Sequence, residues 1–183
     1  MILHLIRHAE TDANRDGLLT CEKDISLNGN GKMQAIKLSK YLHSLNFDEI
    51  WCSPLLRAKQ TIQSFVDHAN FPIIYKPILC EGRLNLSSET KIRLSSLNEN
   101  AIPNEDEAIE DFRGRVGFFI KILQSYDFNK TLVCITHGHF IREFLNMILE
   151  SKNYARYPVE NCSDTKIEFA DNLIIHYVNK STV

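Results

Sequence analysis

LIRHAE, residues 5–10, closes an apolar run with an arginine and a histidine side by side. Ile2, Leu3 and Leu5 make residues 1–6 read as a buried strand whose tip delivers Arg7 and His8 together. The same arrangement returns twice. FDEIWC, residues 47–52, reads as a short strand and is followed by SPLLRAKQT, with Arg57 in the helix that Pro54 opens. TLVCIT, residues 131–136, reads as a buried strand and is followed at once by His137-Gly138.

Between these strands the pattern is helical. GKMQAIKLSKYLHSL (31–45) has helical spacing through Met33, Ile36, Leu38, Leu42 and Leu45, and LLRAKQTIQSFVDHA (55–69) is a second helix. FPIIYKPILC (71–80) reads as extended pieces broken by Pro77. EDEAIEDFRGRVGFFIKILQSY (105–126) is a long helix with an acidic start, as the helix dipole favours, and HGHFIREFLNMILE (137–150) is another. TKIEF and NLIIHYV form a hairpin near the end. Residues 7–27 are turn-rich, and 82–104 are polar without periodicity, a short lid or insertion over a single domain spanning 1–183. Strands alternating with helices predict an α/β fold with a mostly parallel sheet.

In open α/β sheets, ligands bind beyond the carboxyl ends of the strands. If the three strands are parallel neighbours, Arg7, His8, Arg57 and His137 meet at one sheet edge, with helix N-termini beside them. That is a pocket for a compact dianion, and the guanidinium fork suits phosphate oxygens.

The bulk properties fit such a protein. The chain has 183 residues, 44% of them apolar, and a formal net charge of −2. These values argue against disorder and against a broad electrostatic grip on nucleic acid or anionic lipid. No apolar run is long enough for a membrane span, and nothing resembles a signal peptide, so the mature start is read as Met1 or close to it. Five dispersed cysteines without a CxxC pair point to a reducing cytosol, with Cys52, Cys80 and Cys134 as small buried fillers. His137-x-His139 and His4-x3-His8 could suggest a metal pair. The nearby chain lacks a compact ligand set, and on a strand His4 and His8 lie about 13 Å apart. No metal or cofactor is expected.

LIRHAETDAN, SPLLRAKQT and ITHGHFIR, in this order, resemble the histidine phosphatase superfamily, whose fold is that of phosphoglycerate mutase. DISLNGNGKMQA is similar to the family's D-x-x-L-x-x-x-G-x-x-Q-A segment through Asp24, Leu27, Gly31, Gln34 and Ala35. DEAIEDFRGRV is similar to its Glu-Ser-x6-Arg-Val helix, with Ala108 in place of serine. The resemblance implies a three-layer α/β/α architecture and a phosphomonoester hydrolase that forms a phosphohistidine on His8. It implies phosphate binding by Arg7, Arg57, Asn14, His137 and the Gly138 N–H, with Glu81 of ILCEGRLN as proton donor. Thr20 and Cys21 stand where family members often contact substrate.

Two other readings are weighed. One is a cofactor-dependent phosphoglycerate mutase, disfavoured because a short polar lid excludes water poorly. The other is a catalytically silent phosphate- or phosphoprotein-binding module. The expected partner is a small phosphorylated substrate, with no nucleic acid or membrane involved, and a monomer or a homodimer fits equally.

Overall fold

A computed structural model describes residues 1–18, 25–82, 107–151 and 157–183. Their strands are β1 (Ile2–Arg7), β2 (Glu49–Cys52), β3 (Ile73–Tyr75), β4 (Thr131–Thr136), β5 (Ser163–Phe169) and β6 (Leu173–Ser181). Their helices are α1 (Asp12–Arg15), α2 (Gly29–Ser44), α3 (Leu56–Ala69), α4 (Ile109–Gln124) and α5 (Gly138–Ile148), and Pro77–Leu79 forms a 3₁₀ turn. Among the described residues the six strands form one sheet of order β3-β2-β4-β1-β5-β6. β3, β2, β4 and β1 run parallel, and the closing β5–β6 hairpin runs antiparallel on the β1 side. The fold is therefore α/β with a mostly parallel central sheet, as the alternation of elements predicts.

The sheet is apolar on both faces, which is why its inner strands are continuous apolar runs. Leu3, Leu5, Leu132, Cys134 and Trp51 point to one face and pack with Phe112, Val116 and Phe119 of α4 and Phe140, Phe144 and Leu145 of α5. Ile6, Ile50, Cys52, Val133 and Ile135 point to the other and pack with Ala35, Leu38 and Leu42 of α2 and Ala58, Ile62 and Phe65 of α3. His4 shares this second face. It is buried, its Nδ1 2.7 Å from Asp164 Oδ2, an oxygen that also accepts from Tyr41 and Tyr177 hydroxyls. His4 is thus held by a structural partner on β5.

Three local expectations change. The buried face of α2 is Gly31, Ala35, Leu38, Ser39 and Leu42, whereas Met33 and Ile36 are exposed. At its N-terminal end α2 abuts the Glu10 backbone, where a Cβ on Gly31 would collide with the Glu10 carbonyl oxygen. Pro54 lies before the Leu55 N-cap of α3 instead of in its first turn. Within the described residues α4 begins at Ile109, because Glu107 reaches to Arg115 with both carboxylate oxygens, at 2.8 and 2.7 Å. The lid expected at 82–104 lies outside the described residues except for Gly82.

The α2 packing predicts that Gly31→Ala lowers stability by about 2 kcal/mol or more, through backbone displacement at Glu10. Gly29→Ala, whose Cβ meets nothing within 4 Å, is the control. In thermal melts the first is expected to fall by at least about 4 °C and the second to stay within about 1 °C of the parent. Equal melting temperatures for the two variants would contradict the contact.

Candidate active site

The carboxyl ends of three parallel strands finish level. Arg7 pairs with Thr136 and Cys52 with Ile135 in the sheet register. The ladder continues one residue further, His8 N donating to Thr136 O and Ser53 N to Ile135 O, both at 2.9 Å. His8, His137 and Ser53 therefore leave the sheet at the same edge.

His8 is clamped. Its Nδ1 donates to the Ala9 carbonyl at 2.7 Å. A carbonyl only accepts, so this bond fixes the proton on Nδ1 and leaves the Nε2 lone pair free of it. The next peptide is fixed too: Ala9 N donates to Thr61 Oγ1 at 2.8 Å, and that hydroxyl donates to Arg57 O at 2.6 Å. His8 is 2% exposed and lines a cleft of about 200 Å³. Burial, then Arg57, then Arg7 hold its pKa well below the ordinary imidazole value. Neutral imidazole with a bare Nε2 can act as a nucleophile.

His137 lies beneath the cleft wall, its ring centroid 5.1 Å from that of His8. Its Nε2 is 2.8 Å from Ser53 Oγ, and its buried Nδ1 has no partner among the described residues. Burial, Arg57 and His8 push its pKa well down as well.

Arg57, the second residue of α3, is buried and lines the cleft. Arg7 NH1 donates to Val159 O at 2.7 Å, while its buried Nε has no partner among the described residues. Burial lowers the Arg7 pKa and Glu81 opposes that shift. Arg142, one turn into α5, also lines the cleft and donates from Nε to Tyr157 O at 3.0 Å. Gly138 lets these two guanidiniums close in: a Cβ there would lie 3.3 Å from Arg7 Nε and from Arg142 NH1. Gly138 begins α5, so its N–H is among the first-turn donors without an intrahelical acceptor.

Glu81 faces this cationic wall from the loop after the 3₁₀ turn. Its Oε1 lies 3.3 Å from the N–H groups of Gly82 and Phe140. Arg115 holds the loop from below, donating to Ile78 O and Cys80 O at 2.8 Å and to Glu81 O at 3.3 Å. Glu107 therefore serves as the partner of Arg115 and does not line the cleft. Asn14 caps its own short helix and lines the cleft.

Six of the expected site residues thus line one cleft: Arg7, His8, Asn14, Arg57, Glu81 and Gly138, with His137 just beneath. Thr20 and Cys21 lie outside the described residues. Sequence reasoning missed Arg142 and His139 on the cleft wall, and Asn161, whose amide touches His8 O and Asn14 Oδ1. Arg142 was findable, since position 142 shares a helical face with Gly138. Among the described residues no three His, Cys, Asp or Glu side chains converge as a metal-binding group, and no helix is long and apolar enough to cross a membrane.

An α/β sheet whose strand tips and following helices bring His8 and three arginines to one cleft, with His137 just beneath, defines a phosphate-handling class of protein. The profile of the histidine phosphatase superfamily (branch 1) matches residues 3–177, and the chain belongs to that superfamily as an enzyme of the phosphatase type. It is 31% identical over 149 residues to the adenosylcobalamin/alpha-ribazole phosphatase of Escherichia coli, covering 75% of this chain and 73% of that protein. It is 31% identical over 147 residues to the uncharacterized phosphatase PhoE of Bacillus subtilis, covering 79% and 75%. The crystal structure of phosphoserine phosphatase from Entamoeba histolytica with 3-phosphoglyceric acid superposes with a TM-score of 0.77 at 25% identity, over 98% of this chain and 97% of that one.

The two buried histidines predict a pH response. The unfolded chain protonates them first as pH falls through their ordinary value of about 6.5. Their contribution to stability is complete above that pH and is lost progressively below it. In ¹⁵N spectra at pH 6, His8 and His137 are expected to keep neutral imidazole patterns, His8 with its proton on Nδ1. Arg57→Met is expected to raise both pKa values. Cationic patterns for both rings at pH 6 in the parent protein would contradict the assigned electrostatics.

Proposed function

We propose that the enzyme hydrolyses phosphomonoesters through a phosphohistidine on His8, without a metal. The observation that carries this reading is the bond from His8 Nδ1 to Ala9 O, which sets a neutral ring with Nε2 as its lone-pair nitrogen on the wall of an arginine-lined cleft. Nε2 attacks phosphorus in line, the N–P bond forms, and the ester P–O bond breaks. Glu81 gives its proton to the leaving oxygen. The ring gains positive charge in this step, and the Ala9 carbonyl on Nδ1–H stabilises it.

Water then attacks phosphorus and loses a proton to the Glu81 carboxylate. The N–P bond breaks, phosphate leaves, and His8 and Glu81 return to their starting states. Arg7 and Arg57 neutralise charge on the phosphoryl oxygens throughout, the electrostatic role that a metal ion fills elsewhere. Asn14 and the Gly138 N–H donate to the same oxygens. His137, whose Nε2 lies 2.8 Å from Ser53 Oγ, is a further donor in its Nδ1–H tautomer.

The cleft suits a small phosphorylated substrate. The names of the relatives from Escherichia coli and Entamoeba histolytica support that class, a small ester rather than a nucleic acid or a membrane lipid. The buried thiols of Cys52, Cys80, Cys134 and Cys162 support a cytosolic setting.

The test is turnover with EDTA present, on phosphoserine and on 2,4-dinitrophenyl phosphate. Wild type is expected to release phosphate from both, and His8→Ala from neither. Glu81→Gln is expected to lose about 10²–10⁴-fold in kcat on phosphoserine, whose alkoxide needs a proton. On the dinitrophenyl ester, whose leaving group needs none, kcat/KM, which reports only formation of the phosphohistidine, is expected to fall by less than about tenfold. Activity that EDTA abolishes, or that survives in His8→Ala, would overturn the reading. Isomerisation of 3-phosphoglycerate stimulated by 2,3-bisphosphoglycerate would replace hydrolysis with mutase chemistry.

A further inference from the structure

We infer that Asn161 is a positioning residue, which orients the Asn14 carboxamide toward the phosphoryl group and clamps the His8 peptide; the inference rests on the phosphohistidine reading above. Asn161 precedes β5 and is far from both partners in sequence. Its Nδ2 donates to His8 O at 2.9 Å and to Asn14 Oδ1 at 3.1 Å. A primary amide nitrogen carries two hydrogens, so these two bonds use both. Asn14 Oδ1 receives a second bond from Thr11 N at 3.2 Å. Both of its lone pairs are then occupied, and flipping the Asn14 amide would set its NH₂ against two donors. The amide is locked with its nitrogen as the end available to the cleft that Asn14 lines. An anionic phosphoryl oxygen requires a donor at that point, and the flipped amide would present a repelling oxygen.

The same bond network fixes the nucleophile. His8 N is held by Thr136 O and His8 O by Asn161, so the residue is anchored from β4 on one side and from the approach to β5 on the other. The segment that carries Asn161 is built for this. Its Val159 and Tyr157 carbonyls receive Arg7 and Arg142, and Cys162 N donates to Arg7 O at 3.1 Å. Cys162 has φ of 55°, the left-handed region that a non-glycine residue seldom adopts, with its side chain fully buried. Such backbone conformations persist where the surroundings over-determine them, and they cluster at functional sites. Here the turn ends just after the amide that reaches the site.

The test is kinetic, with 2,4-dinitrophenyl phosphate and with inorganic phosphate as competitive inhibitor. Asn161→Asp keeps the shape, removes both donors and sets an anion against Asn14 Oδ1. With circular dichroism and melting behaviour matching the folded parent, it is expected to lower kcat/KM by about 10–100-fold and to raise the inhibition constant of phosphate. Asn14→Ala and Asn161→Ala are expected to be sub-additive. Their combined loss should fall short of the product of the single losses by at least about threefold, as for groups that act through one another.

Losses that multiply independently, or a folded Asn161→Asp within about twofold of wild type, would overturn the inference while leaving the phosphohistidine reading intact. Should the Asn161 variants fail to fold, the wild-type Asn14 side-chain NH₂ resonances decide the matter. They are expected to shift when vanadate fills the cleft, and unmoved signals with vanadate bound would overturn the inference. A wild type that neither turns over esters nor binds vanadate would overturn both readings together.

Discussion

The register of β1, β4 and β2 is the constraint on which the site depends. Parallel hydrogen bonding holds Arg7 opposite Thr136 and Cys52 opposite Ile135, so His8, His137 and Ser53 emerge together. Both faces of these strands are buried, and a one-residue slip would turn Leu3 and Leu5 out of one cluster and into the other. The two hydrophobic clusters thus enforce the alignment of the chemistry. Rigid strand tips hold reacting groups more closely than loops can.

Gathering this much positive charge in a largely buried cleft is costly, and the surroundings show how it is offset. Arg7 and Arg142 each place one N–H on a backbone carbonyl of residues 157–159, which absorbs charge without adding a carboxylate. Glu81 lines the same cleft. Below it, Arg115 carries a bidentate pair with Glu107 and three carbonyl bonds, a buried ion pair whose polar atoms are well satisfied. Removing one member of such a pair costs about 3–5 kcal/mol, because the other is left buried and uncompensated. Burial first and these positive groups second hold both histidine pKa values well down, and a nucleophilic imidazole must be neutral to react.

Much of this was legible in the sequence, for identifiable reasons. Each inner strand is a dense apolar run, and each is followed at once by Arg7-His8, by Ser53-Pro54 with Arg57, or by His137-Gly138, so motif and strand end coincide. Glu81 could be placed through the family resemblance, which sets an acid in a Leu-x-Glu segment after the second helix, here Leu79-Cys80-Glu81. On α2 the spacing located the buried Leu38 and Leu42, but Met33 and Ile36 are exposed, and the close approach at Glu10 falls on Gly31, which no hydrophobic count marks. Asn161 left no signal. A single polar residue before an edge hairpin looks like loop, and its partners lie at the other end of the chain. Arg142 was visible as a residue and overlooked as a cleft residue, because an arginine in a helix is ordinarily on the surface.

The central claim is a covalent bond between His8 Nε2 and phosphorus. The most direct test is rapid chemical quench of the enzyme during turnover of a ³²P-labelled ester, followed by peptide mapping. The account predicts a label stable to alkali and labile to acid, confined to the peptide that contains His8 and absent from His8→Ala. An alkali-labile label, a label on another residue, or full turnover with no labelled enzyme at any quench time would contradict it.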